Sequence, residues 1–110
     1  MNSKANPQIL KEIFDQIKGI IRDELGDYHA SVFLYGSWAR GEEEQSSDID
    51  VAIFNEEVGL PKRLIMTIRD RLEESTVPYH VDVVDLSKVN RTFREEVLKE
   101  GIEWNVCGKE

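Results

Sequence analysis

The sequence predicts an α/β (α+β) protein with a small mixed β-sheet and helices packed mainly on one face. Segments with helical periodicity alternate with short apolar segments rich in β-branched residues, and a short final strand follows the last helix. Strands that are separated by helices build a sheet with a helical layer against it. A chain of 110 residues fits one compact domain, which we expect to span residues 1–110.

The first predicted helix covers residues 6–25. Asn6 can cap its start with a side-chain oxygen, Pro7 suits the first helical position, and Gly26 is a typical stop signal. Apolar residues at helical spacing predict that one face of this helix is buried. These residues are Ile9, Leu10, Ile13, Phe14, Ile17, Ile20 and Ile21.

The central part of the chain predicts three strands and two helices. Residues 31–35 are apolar and β-branched or aromatic, as in a buried strand, and a short helix follows at 38–40. Residues 48–54 alternate between two kinds of side chain, which indicates a strand with two different faces. Residues 60–72 have helical periodicity, and 79–84 form a third strand.

The C-terminal part predicts one more helix and an edge strand. Ser87 can cap the last helix, which carries apolar residues at helical spacing and ends at Gly101. Residues 102–106 then add a short edge strand. Cys107 is the single cysteine, so an internal disulfide is excluded, and we interpret it as a structural or incidental thiol.

The composition narrows the classes of function. A net charge of -8 argues against broad nucleic-acid binding, which depends on lysine and arginine. A phosphorylated ligand stays open, because metal ions can lie between an acidic site and a polyphosphate. No apolar run approaches the roughly 20 residues of a membrane span, and the N-terminus has no signal-peptide core. We therefore expect a cytoplasmic protein with no membrane partner.

Gly36 and Ser37 follow the first strand and open the short helix. Glycine lets a backbone approach a phosphate closely, and the N–H groups and the serine hydroxyl can donate to it. The alternative is an ordinary tight turn with a serine cap, which two residues alone cannot exclude. Arg40 could contact phosphate, or could pair with the glutamates at 42–44.

Three aspartates are the candidate metal ligands. Asp48 and Asp50 share one strand face, about 6.5 Å apart, and like charges at that spacing favour a divalent cation such as Mg²⁺. The alternative is a solvated acidic strand face.

Asp82 lies among valines, where an unpaired carboxylate is unfavourable. Asp85 lies three residues from Asp82 and would face the other side of the strand, and we interpret it as a turn or cap residue. His80 shares the parity of Asp82, and we interpret it as a strand-end histidine rather than a supporting group of the site.

The combined pattern resembles the minimal nucleotidyltransferase branch of the polymerase-β-type nucleotidyltransferase superfamily. The resemblance rests on Gly36-Ser37, then ten residues, then Asp48-Ile49-Asp50, and on a later aspartate in an apolar strand. The local segments GSWARGEEEQSSDIDVAIF and VDVVDL carry it, and it extends over residues 32–101.

The resemblance implies the polymerase-β-like nucleotidyltransferase fold and transfer of a nucleoside monophosphate, AMP from ATP, to a hydroxyl group. It implies two Mg²⁺ ions held by Asp48, Asp50 and Asp82, and a triphosphate held by Ser37 and its backbone. Trp38 departs from the basic residue that members often have at this position, which places phosphate contacts from position 38 in doubt.

The acceptor is not encoded in any recognisable segment, so small molecules, RNA ends and protein side chains stay open. Many members of the superfamily have a second domain that holds the acceptor, and this chain is too short for one. We therefore expect a second copy, or a small helical HEPN-type or substrate-binding protein, to supply the acceptor. The resemblance then implies an antitoxin that adds AMP to a toxin side chain. The alternatives are a catalytically silent interaction module with the same fold, or an unrelated Ca²⁺- or Mg²⁺-binding protein.

Overall fold

The structure, a computed structural model, describes residues 6–44, 47–55 and 59–106. Its helices are α1 (Pro7–Leu25), α2 (Ser37–Arg40), α3 (Lys62–Glu74) and α4 (Arg91–Glu100), with a 3-10 helix at Leu86–Lys88. Its strands are β1 (Ser31–Tyr35), β2 (Ile49–Phe54), β3 (Val81–Asp85) and β4 (Ile102–Trp104). None of these helices has the length and apolarity that a bilayer crossing requires. Cys107 lies outside the described residues.

The four strands form one mixed sheet in the order β3-β2-β1-β4. Strand β1 pairs antiparallel with both β2 and β4, whereas β2 and β3 run parallel. The parallel pair is joined through α3, as a crossover connection requires. The predicted mixed sheet is therefore confirmed, with β3 and β4 as its two edges.

The two faces of the sheet have different coverings. The larger core lies between the sheet and the pair of helices α1 and α3, and it includes the apolar face of β2 that the alternation predicted. Its β2 members are Ile49, Val51 and Ile53. On the other face, α4 packs Val97 against a smaller cluster with Phe33, Ala52 and Leu86. Two of the three long helices thus cover one face, as predicted.

The helix starts show where local signals succeed and where they fail. The Asn6 side chain accepts from the N–H of Gln8 at 2.7 Å, and Pro7 opens α1, as predicted. The prediction that Ser87 caps the last helix was wrong. Asn90 caps α4, because its side-chain oxygen accepts from the N–H of Phe93 at 2.8 Å.

Asp85 explains why Ser87 does not begin the last helix. Its side chain accepts from both the backbone N–H and the hydroxyl of Ser87, at 2.9 and 2.7 Å. These bonds place Ser87 inside the 3-10 turn, three residues before the cap of α4. The interpretation of Asp85 as a turn or cap residue is thereby confirmed. The third strand and the long helix before it begin two residues later than predicted, at Val81 and Lys62.

Candidate active site

The strand register brings two of the predicted aspartates together. Asp50 on β2 lies opposite Asp82 on β3, and opposite Tyr35 on β1. Adjacent strands are about 4.8 Å apart, so these three side chains form one row on one sheet face. The next row on the same face, which includes Ala52, lies in the cluster beneath α4. The aspartates therefore lie at the uncovered end of the face that α4 covers.

The carboxylates differ in exposure. Asp50 and Asp82 are partly buried, and Asp48 is exposed just before β2 begins. Burial raises the pKa of Asp50 above its ordinary value, and the nearby charges of Asp82 and Asp48 raise it further. The site thus concentrates negative charge in a partly desolvated position, where a cation would relieve both effects.

Gly36 joins the phosphate-loop candidate to the aspartate row. Its backbone has φ 80° and ψ -155°, a conformation that essentially only glycine adopts. A Cβ atom built on it would collide with the Oδ2 atom of Asp50. The loop backbone and the carboxylate therefore lie in close contact, and Ser37, the first residue of α2, comes directly after.

Arg40 lies at the surface beside this loop. Its guanidinium Nε donates to Glu42 at 2.8 Å, and both side chains are more than half exposed. Of the two roles that the sequence left open, the structure shows the pair with a loop glutamate. Arg40 also lines an open cleft of about 250 Å³ together with Gly36 and Tyr35.

Tyr35 is a site residue that the sequence reasoning missed. It lies beside Asp50 in the row, and its ring packs edge-on against Phe93 of α4 with centroids 5.5 Å apart. Burial, followed by the charges of Asp50 and Asp82, raises the pKa of Tyr35 to about 12. The phenol therefore stays protonated beside the carboxylates. Its position as the last residue of a strand before Gly36 was the available signal.

Asp85 and His80 are not members of the row, although a charge on His80 acts against the burial and the neighbouring carboxylates that raise the pKa of Asp50. Asp85 is buried, its Oδ2 atom lies 3.6 Å from the ammonium of Lys88, and its other oxygen caps the 3-10 turn. His80 precedes β3, is exposed, and has Nδ1 3.4 Å from Glu73. This placement agrees with a strand-end histidine.

The aspartates suit a divalent cation by their chemistry. Among the residues that the structure describes, no group of three or more histidine, cysteine or acidic side chains could hold a metal ion as arranged here. Asp48 is exposed and lies just before β2, two residues from Asp50. Carboxylate oxygens are the ligands that Mg²⁺ prefers, and Asp50 is partly buried with the charges of Asp82 and Asp48 close to it. The residues present therefore fit such an ion.

A mixed sheet with an aspartate row next to a Gly-Ser loop is typical of nucleotidyltransferases. The family model described as polymerase beta nucleotidyltransferase matches residues 15–104. A protein of Haemophilus influenzae named "Probable protein adenylyltransferase MntA" is 34% identical over 103 residues, which cover 90% of this chain and 84% of that protein. The chain belongs to the polymerase-β nucleotidyltransferase family, in its minimal nucleotidyltransferase branch, and is a nucleotidyltransferase.

Solved structures confirm the fold. A toxin–antitoxin structure with AMP-PNP matches with a TM-score of 0.62 and 24% identity, covering 80% of this chain and 73% of that one. A structure of a tri-AMPylated Shewanella oneidensis HEPN toxin in complex with an MNT antitoxin matches with a TM-score of 0.64 and 21% identity, covering 86% of this chain and 71% of that one.

Proposed function

We propose that this nucleotidyltransferase transfers AMP from ATP to a hydroxyl group on a partner protein, with Mg²⁺ as its cofactor. The observation that carries the proposal is the single row in which Asp50 and Asp82 lie side by side, next to a Gly36 backbone that touches Asp50. The family membership supports nucleotidyl transfer. The name of the Haemophilus influenzae relative, a protein adenylyltransferase, favours AMP as the group and a protein as the acceptor.

In this proposal Asp48, Asp50 and Asp82 hold two Mg²⁺ ions. The ions would neutralise the triphosphate and stabilise the charge that develops on the attacking and leaving oxygens of an in-line displacement. Asp82 lies at the outer end of the row, on the edge strand β3. A partner can approach that edge, so Asp82 is the carboxylate placed to hold, and help remove, the proton of the acceptor hydroxyl.

The triphosphate is held on the opposite side of Asp50. The Gly36 backbone and the Ser37 N–H and hydroxyl are the proposed donors, because the Gly36 backbone lies against Asp50, where a Cβ would collide with the carboxylate. Arg40 can join them by leaving Glu42, since an exposed ion pair costs little to break. Tyr35 stays protonated beside Asp50 in the row and therefore adds no charge there.

The proposed partner is a small helical protein of the HEPN type, which would make this chain the antitoxin of a toxin–antitoxin pair. The fold is shared with antitoxins in complexes with HEPN toxins, which supports this assignment. A tyrosine hydroxyl on the partner is the acceptor that the proposal names. A substrate-binding protein or a second copy of this chain are the other outcomes of the test.

A direct assay separates these outcomes. The purified chain is incubated with α-labelled ATP, Mg²⁺ and proteins captured on it from the source cell, and labelled products are identified by mass spectrometry. AMP on a captured helical protein supports the proposal. Transfer to a free small molecule at an ordinary enzymatic rate contradicts the protein acceptor. Asp48→Asn is the matched blank. If the wild-type chain labels no more product than this variant does, the result favours the silent interaction module.

A further inference from the structure

Trp38 lies between the phosphate loop and the core. It follows Ser37 directly, on the one-turn helix α2, yet only 8% of it is exposed. Its indole belongs to the same apolar cluster as the helices α1 and α3. A buried indole next to a phosphate-binding serine fixes the direction in which the following helix leaves the loop.

The indole N–H makes a contact with the loop that carries the first aspartate. Nε1 of Trp38 donates to the carbonyl oxygen of Ser47 at 3.3 Å, and Ser47 immediately precedes Asp48. Ser47 is also fixed by Glu44, whose backbone N–H donates to the serine hydroxyl at 2.7 Å. The backbone from which Asp48 projects is therefore tied to α2 by a side chain.

The indole ring makes a second contact, with the segment that carries the third aspartate. Trp38 and Tyr79 pack edge-on with ring centroids 5.0 Å apart, and Tyr79 lies three residues before Asp82. Phe14 of α1 supports Trp38 from the core, at 6.0 Å between centroids. One side chain thus contacts the segments that precede two aspartates while it is bonded covalently to Ser37.

We propose that Trp38 is a positioning residue, which sets Ser37, Asp48 and the β3 aspartate Asp82 relative to one another. This inference rests on the proposed metal role of the aspartates. Of the three aspartates, Asp48 depends most on this positioning, because it lies outside the strand ladder and is exposed. Loss of the indole N–H leaves Ser47, among the described residues, held only by its bonds to Glu44, so we expect Asp48 to be less well placed for a metal ion.

Trp104 provides a matched control. It is as buried as Trp38, at 7% exposure, and packs on the same Phe14 ring at 5.3 Å. It lies on β4, the strand farthest from Asp82. A residue that only fills the core should behave like Trp104 when it is replaced by phenylalanine, whereas a positioning residue should not.

The test compares Trp38→Phe with Trp104→Phe. Calorimetric titration of the nucleotide-free proteins with Mn²⁺ alone measures metal affinity, and thermal unfolding measures stability. We expect both variants to melt lower, but only Trp38→Phe to weaken Mn²⁺ binding, by about 2- to 13-fold for one lost hydrogen bond. The Mg²⁺ concentration for half-maximal transfer should rise by a similar factor.

The results separate a failure of the proposed function from a failure of the positioning role of Trp38. If wild-type protein binds no metal and transfers nothing, the proposed function fails. If wild type does both, and Trp38→Phe matches Trp104→Phe in metal affinity, the positioning role is wrong. Should Trp38→Phe not fold, Tyr79→Leu keeps the indole and removes its ring partner, and it should weaken Mn²⁺ binding in the same direction. Unchanged Mn²⁺ affinity in that variant overturns the proposal.

Discussion

Replacement of Gly36 by alanine should abolish nucleotidyl transfer at a measurable cost in stability. The new Cβ would meet the Oδ2 atom of Asp50 and the carboxyl carbon behind it. The side chain of Asp50 must then leave the row that it forms with Asp82. Because Ser37 follows Gly36 directly, a shift of the loop away from Asp50 would also move the proposed phosphate donors.

The expected size of the stability effect follows from the backbone conformation. Gly36 has φ 80° and ψ -155°, and a non-glycine residue held in such a region costs about 1–3 kcal/mol. Each kcal/mol lowers the melting temperature by roughly 4–8 °C in a domain of about this size. Because small domains have about 5–15 kcal/mol of stability, the variant should still be folded at room temperature.

Gly26 is the control for backbone strain. It has φ 54° and ψ -116° at the end of α1, and a Cβ there meets nothing within 4 Å. Gly26→Ala should therefore lower the melting temperature by a comparable amount and keep transfer at the wild-type rate. Transfer is measured with labelled ATP and the melting temperature by circular dichroism. Wild-type transfer by a folded Gly36→Ala protein would refute the close approach of loop and carboxylate.

Three further predictions concern charge. Asp48→Asn and Asp50→Asn should each abolish transfer in the assay with labelled ATP. Because the pKa of Asp50 is raised above 3.8, the folded metal-free protein holds a proton that the unfolded chain releases, so stability falls as the pH rises above that value. Urea unfolding in EDTA should show that Asp50→Asn reduces this fall, and an unchanged slope contradicts the assignment. Asp82→Asn should be inactive, whereas Asp85→Asn should keep most transfer and melt lower, because Asp85 caps a turn; the reverse activities would mean that the wrong carboxylate was chosen. ATP at 100 times its Kd should add about 2.7 kcal/mol of stability with Mg²⁺ present, and little without it, in thermal-shift measurements; equal stabilisation in EDTA argues against metal-bridged binding.

Local patterns predicted most elements because their signals lie within a few residues. The first helix begins after Asn6 and ends at Gly26, since a side-chain cap and a glycine stop act on adjacent backbone groups. The start of the last helix was predicted wrongly, because a local signal cannot choose among several nearby side chains that can cap. The sequence analysis assigned the cap to Ser87, whereas Asp85 at the end of the strand holds Ser87 in the 3-10 turn and Asn90 caps the helix; only the packed fold decides which side chain faces free N–H groups.

The aspartate row was only half predictable. Because side chains alternate between the two faces of a strand, the sequence places Asp50 on one face of β2 and Asp82 on one face of β3. Their adjacency depends on β2 and β3 being parallel neighbours, which is a property of strand order and not of either segment. Tyr35 was missed because a long connection joins β1 and β2, so no tight turn sets the register that places it opposite Asp50.

Trp38 shows why a one-turn helix defeats prediction by periodicity. Four residues in α2 give no repeat, so the sequence could not show that Trp38 faces the core while Arg40 faces solvent. The direction in which Trp38 points has a chemical consequence. A basic residue at position 38 could add positive charge near a triphosphate, whereas the buried indole adds none. In the proposed function the phosphates are then compensated by metal ions, the Gly36-Ser37 donors and Arg40, so we expect ATP binding to depend strongly on Mg²⁺.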